Sequence, residues 1–206
     1  MNIFMKYGVL ASQGGEIAPQ WTYQYEANVL PDSDGWAKVG TQGSATVNGG
    51  IFNLNTMGST DQIYYTKATL TPANITRIQS RLQVVQDGTG TPEFGQGWII
   101  GDGVRRIIIY METGRLYSGT TLEDIFVGDM TIYRDVRIEF SNTFGVKVYV
   151  DDLETPLWTT AYSNLQVVAF NNILFGDFTS GAGRAAGEVN YDYVYYQLDL
   201  AANPDQ

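Results

Sequence analysis

The sequence contains neither cysteine nor histidine in its 206 residues. The missing cysteine rules out a disulfide scaffold and thiolate metal sites, and leaves the compartment undetermined. The missing histidine removes the usual general base and transition-metal ligand, and with it serine triads, zinc hydrolases and two-His iron sites. Any catalysis would have to run on carboxylates, Tyr, Lys or Arg. No apolar run approaches the roughly 18 residues that a membrane-spanning helix needs. Positive charge is scarce: 12 Lys+Arg stand against 22 Asp+Glu, a net charge of −10, so a nucleic-acid backbone would be repelled rather than steered in. The opening Met1–Ser12 holds only scattered apolar residues, too few for a secretory core. Either a signal has already been removed, or the protein leaves its cell by another route, such as lysis and virion assembly.

What is present in quantity is glycine (23), tyrosine (14) and the β-branched residues, a composition of strands joined by tight turns. Apolar residues recur with a period of two. Ile78, Leu82 and Val84 alternate with Arg77, Gln79, Arg81 and Gln83, the pattern of a half-buried strand. Val136, Ile138 and Phe140 lead through Asn142–Gly145 into Val146, Val148 and Val150, which predicts a hairpin. Further strands are expected at 23–30, 36–39, 44–47, 51–55, 62–68, 97–100, 105–112, 115–117, 130–133, 157–162, 166–170 and 173–175. Tyr191–Leu198 closes the series, with Tyr191, Tyr193 and Tyr195 expected on one face and Val194, Tyr196 and Leu198 on the other. Pro72-Ala73-Asn74 is expected to give one helical turn, and no segment reads as an amphipathic helix. A dozen or so short strands predict an all-β, two-sheet antiparallel jelly-roll β-sandwich. The length fits one such domain. The expected layout is an N-terminal extension over 1–18, the sandwich over 19–200 and a tail over 201–206.

The order of motifs resembles the concanavalin A-like lectin and glucanase superfamily, including its laminin-G-like domains. The resemblance covers roughly residues 20 to 200. It is carried by Tyr25-Glu26-Ala27-Asn28, Gly35-Trp36, Gly49–Leu54, Gly97–Gly103 leading into Arg106–Tyr110, Arg137–Asp151, Phe175-Gly176-Asp177 and Tyr191–Val194. It implies two curved sheets, with sugar bound on one sheet face or along a rim. The superfamily hosts glycosidases, lyases, adhesion modules and purely structural domains, so the fold alone does not choose among them.

Glucanase relatives carry catalytic carboxylates in a Glu-x-Asp-x-x-Glu order, because acid and nucleophile must flank one glycosidic bond about 5–5.5 Å apart. That spacing is absent here, and no catalytic residue is assigned. Glu123-Asp124 with Asp129 reads as a solvated rim loop, and Glu188 with Asp192 as strand-edge polarity. Asp32-Ser33-Asp34-Gly35 matches half of a calcium loop and lacks the distant Glu, so it reads as an Asx-stabilised turn. Asp151-Asp152 reads as the tip of the long hairpin. No cofactor or metal is therefore expected, and calcium lacks a specific motif. Asn74-Ile75-Thr76 matches the glycosylation acceptor pattern. Trp36 and Trp98 follow glycines at strand starts and are expected in the core.

Sugar recognition needs an aromatic face for the C–H side of a ring and polar groups for its hydroxyls. Tyr64, Tyr65, Tyr117, Tyr133 and Trp158, with Arg105 as a donor, are the expected ligand-binding residues; Tyr110 and Arg106 lie beside them. The leading expectation is a non-catalytic carbohydrate-binding or adhesion module acting outside the cell, at a cell surface or on a virion. Its partner is expected to be carbohydrate or another protein subunit, with homo-oligomers allowed and neither nucleic acid nor membrane insertion. One alternative is a structural or assembly protein of a phage or cell surface; a further alternative is a glycoside hydrolase or polysaccharide lyase.

Overall fold

The computed structural model describes residues 21–41, 43–57, 63–69, 75–89, 95–178 and 185–200. The β-branched and aromatic segments form two antiparallel sheets, their strands numbered in chain order. In the first sheet, β13 (Trp158–Thr160), β12 (Gly145–Val150), β11 (Arg134–Ser141), β6 (Ile75–Thr89), β16 (Ala185–Leu200), β4 (Ile51–Asn55) and β3 (Ser44–Asn48) lie side by side, and β1 (Tyr23–Tyr25) adds to β16. In the second, the order is β10 (Asp124–Val127), β9 (Arg115–Ser118), β8 (Arg105–Glu112), β7 (Gln96–Gly101), β15 (Asn172–Asp177), β5 (Ile63–Thr69) and β2 (Ala37–Val39), with β14 (Gln166–Val167) paired to β8. This is the expected all-β, two-sheet antiparallel jelly-roll sandwich.

Alternation decides which side chains enter the space between the sheets. Ile78, Leu82 and Val84 of β6, Val136, Ile138 and Phe140 of β11, and Val146 and Val148 of β12 meet Ile107, Ile109 and Met111 of β8 in one apolar cluster. Its densest part is aromatic. Phe175 lies edge-on to Trp36 with centroids 4.8 Å apart, stacks on Tyr65 at 5.6 Å and meets Tyr191 at 5.3 Å. Trp36 and Trp98 are in the core as expected, and Trp98 donates its indole N–H to Ser80 at 3.3 Å.

Several expectations need correcting. The pairing of β16 with β6 slips between Tyr191 and Tyr193, so Tyr191 stands opposite Leu82 and Tyr193 opposite Arg81, with Asp192 extra. That bulge reverses the alternation: Tyr191, Val194 and Tyr196 enter the core, whereas Tyr193 and Tyr195 turn outward and stack at 4.4 Å. Asp124 does not sit in a loop but starts edge strand β10. Residues 130–133 form no strand, because the Met130 carbonyl accepts from Val84 N and the Met130 N–H donates to Thr113, which ties the chain between two elements. The hairpin of β11 and β12 turns at 142–144. Asp151 therefore lies at its other end, paired with Arg134, while Asp152 caps the amides of Glu154 and Thr155. The 31–34 turn is a 3-10 turn closed by backbone bonds from Ser33 to Leu30 and from Trp36 to Pro31, without a side-chain cap. Strands expected at 23–30, 157–162 and 166–170 are shorter than their patterns. Pro72-Ala73-Asn74, and with it Asn74 of the acceptor pattern, lies outside the described residues.

The outer face of the first sheet is polar, and most of its charged groups are paired on the face itself. Glu188 accepts from Asn53 and Asn55, both at 2.8 Å, and Asp192 meets Arg81 at 3.5 Å. Glu139, 7% exposed, is reached by Arg77 at 2.8 Å, by Arg137 at 3.4 Å and by the Tyr149 hydroxyl at 3.1 Å. Removing this carboxylate leaves two guanidinium groups facing each other without a counter-charge. Glu139→Ala is expected to lower stability by about 2–3 kcal/mol, read as a shift of the urea midpoint with an unchanged slope.

Candidate functional site

The outer face of the second sheet differs in character. Register places Val39, Tyr64, Gly176, Gly97, Tyr110, Tyr117 and Asp124 in one row across all seven strands from β2 to β10. The same face of β8 presents Arg106, Ile108, Tyr110 and Glu112, because its other face gives Ile107, Ile109 and Met111 to the core. Tyr110 and Tyr117 lie at 5.3 Å, Phe178 approaches Tyr110 at 5.3 Å, and the Arg115 guanidinium sits 4.5 Å over Tyr117.

An open depression of about 400 Å³ lies on this face. Arg106, Ile108 and Tyr110 form its floor, Thr120 and Leu122 one wall, and Asn164 with Gln166 the other. The size and the mixture suit a small-molecule site.

Both walls are fixed by hydrogen bonds. The Ser118 hydroxyl accepts from the amides of Thr120 (3.3 Å) and Thr121 (3.0 Å), and the Leu122 amide donates to the Ser118 carbonyl at 2.8 Å. Leu122 is held at φ 60°, a conformation costly for a branched side chain, yet its side chain is 65% exposed. On the other wall, Arg105 donates to the carbonyls of Leu165 (2.7 Å) and Ser163 (3.0 Å), and its guanidinium lies 5.3 Å from the Tyr162 ring. Buried Asp102 accepts from the Val104 and Arg105 amides, both at 2.9 Å, and from the Tyr162 hydroxyl at 2.7 Å.

Burial, and then the bond to Asp102, push the Tyr162 phenol up to about 12. Burial likewise raises Tyr25, Tyr65 and Tyr191. A phenol that holds its proton more tightly folded than unfolded favours the folded state below pH 10, and that advantage disappears as pH rises from about 10 through the folded value. The melting temperature is expected to fall steeply above about pH 10, and Tyr162→Phe to remove the part lost between 10 and 12, in calorimetric scans across pH.

The six expected binding residues do not converge. Tyr64 and Tyr117 share the row described above, and Arg105 holds the loop that carries Asn164 and Gln166. Tyr65 is fully buried between the sheets beside Phe52 and Phe175. Tyr133 follows β10, 5.8 Å from the Arg81 guanidinium, and Trp158 lies on edge strand β13 of the first sheet, half-buried opposite Val148. Sequence reasoning missed Ile108, Thr120, Leu122, Asn164 and Gln166. Of these, only Ile108 was legible, by its parity with Tyr110. Among the described residues no three acidic side chains gather in a way that could hold a metal ion, and no helix is long and apolar enough to cross a membrane.

Sandwich and register together define a concanavalin A-like jelly roll with an aromatic outer sheet face. No family model and no curated protein matches the chain. Solved structures do. A structure reported with the endo-acting O-glycanases of the human gut microbiota superposes with a TM-score of 0.57 at 14% identity, covering 86% of this chain and 98% of that one. A cellulose-induced protein gives 0.57 at 8% identity, over 85% and 96%. A β-1,3-glucanase from Mycobacterium marinum gives 0.54 at 11% identity, over 88% and 100%. Identities this low establish the shared fold alone.

Proposed function

We propose that this protein binds carbohydrate without cleaving it, acting outside the cell, and that the ligand lies on the outer face of the second sheet in the depression above Arg106, Ile108 and Tyr110. The depression carries this reading. It joins an aromatic and aliphatic floor to amide and hydroxyl groups on two fixed walls, the combination that a sugar's C–H face and hydroxyls require. The O-glycanase and glucanase structures that share the fold make a sugar ligand the natural class. Tyr64 and Tyr117 extend the same face, and Arg105 acts as a positioning residue for the Asn164–Gln166 wall.

The disposition of carboxylates favours binding over hydrolysis. On the strands of this face they are Glu112 and Asp124, and both are held by Arg115, at 2.7 and 2.9 Å. A glycosidase needs one carboxylic acid kept protonated beside a second carboxylate. Here both carboxylates are engaged by the same guanidinium instead.

Leu122→Gly tests the placement. Glycine adopts φ 60° without cost, so the fold should be retained or slightly stabilised. Deleting an apolar contact of that size should weaken glycan binding about 5- to 30-fold. Calorimetric titration of a glycan selected on an array, paired with a thermal melt, reads both. Unchanged affinity in the folded variant places the ligand elsewhere.

A further inference from the structure

We infer that the sugar taken by this depression is acidic, a uronic-acid residue whose carboxylate is received by the Arg106 guanidinium. The inference rests on the carbohydrate-binding reading and names the ligand class for the same site. In a chain with 22 acidic and 12 basic residues, the depression is lined by one cation and no anion.

Arg106 is also set apart from the other arginines among the described residues. Arg77, Arg81, Arg115, Arg134 and Arg137 each pair with a carboxylate. Arg105 is occupied by the carbonyls of its loop. Arg106 bonds through Nε to the neutral Gln166 Oε1 at 2.7 Å, and among the described residues no carboxylate pairs with it. That bond orients the guanidinium while leaving its charge uncompensated. Glu112, on the same face of β8, is six residues along the strand, about 20 Å at 3.3–3.4 Å per residue, beyond a Debye length of about 8 Å at physiological salt. Asp102 is buried and already accepts from Tyr162 and two amides. A guanidinium without a counter-charge favours an incoming carboxylate, whose two oxygens match its planar fork. Beside it, Tyr110, Ile108 and Leu122 meet the ring's apolar side, as in any sugar complex.

The test compares oligosaccharides of galacturonic, glucuronic and mannuronic acid, each beside its own methyl ester, with neutral and sulfated oligosaccharides in parallel. For at least one acid, the free carboxylate should bind about 10- to 100-fold more tightly than the ester. Arg106→Gln should erase that ratio, with a thermal melt showing the fold retained, and Arg106→Lys should restore part of it. An ester that binds as tightly as its acid, or a preference surviving in Arg106→Gln, overturns the assignment. Preference for a sulfated sugar over every uronate overturns it in favour of a different anion. Neutral sugars alone binding, with Leu122→Gly still weakening them, sinks the acidic ligand and keeps the carbohydrate reading. Failure of every sugar sinks both.

Discussion

Phe175→Ala is expected to lower stability by about 3–5 kcal/mol. For a chain of this length that corresponds to a drop in melting temperature of about 10–15 °C. Phe175 is fully buried and touches Trp36, Phe52, Tyr65 and Tyr191, so its ring joins β15 and β5 of one sheet to β4 and β16 of the other. None of these neighbours can fill the space without leaving its own place, because all are rings already fixed by edge-on or stacked contacts. Most of the cavity should therefore remain. Phe175→Leu, which keeps much of the volume, should cost well under half as much; equal losses for both variants would mean that the cluster relaxes freely and is not a rigid hub.

Gly97→Ala is the second large effect, and it connects the fold to the site. A Cβ on Gly97 would lie 1.9 Å from the Ile109 carbonyl oxygen, 2.9 Å from its carbon and 3.1 Å from the Tyr110 Cα. These are backbone atoms of the neighbouring strand, so no rotamer change relieves the overlap. β7 and β8 would have to part where Gly97 pairs with Tyr110, with an expected loss of more than about 3 kcal/mol. Gly114→Ala serves as the control, since nothing lies within 4 Å of its added methyl. Denaturant titrations of the two variants should differ by nearly the whole effect. Because the strain falls on the β8 segment that carries Tyr110, the residual folded fraction of Gly97→Ala should also bind glycan more weakly.

Where one face of a strand is charged and the other aliphatic, the sequence is easily read. Arg77 to Val84 and the Val136–Val150 hairpin fall into place because a one-residue slip would bury Arg or Lys. The final strand misleads, because tyrosine suits either environment and no pattern reveals the bulge at Asp192 that moves Tyr191 inward and Tyr193 outward. Strand β10 stays hidden for a different reason: it has four residues, sits at a sheet edge and buries only Ile125. The site was less legible still. Tyr64 and Tyr110 are 46 residues apart and meet one face only through the strand order β5-β15-β7-β8, while Leu122 owes its position to a left-handed backbone that its own side chain disfavours. Two of the tyrosines expected to bind ligand, Tyr64 and Tyr117, lie on the face described here.

The measurement that bears most directly on the function is a methyl NMR titration with isotope-labelled isoleucine and leucine and a binding oligosaccharide. Ile108 and Leu122 line the depression, whereas Ile107 and Ile109 are buried on the opposite face of the same strand and Ile78 and Ile138 belong to the other sheet. The carbohydrate reading predicts saturable shifts at Ile108 and Leu122, with Ile78 and Ile138 unmoved. Shifts confined to the first sheet, or none with any glycan, would contradict it.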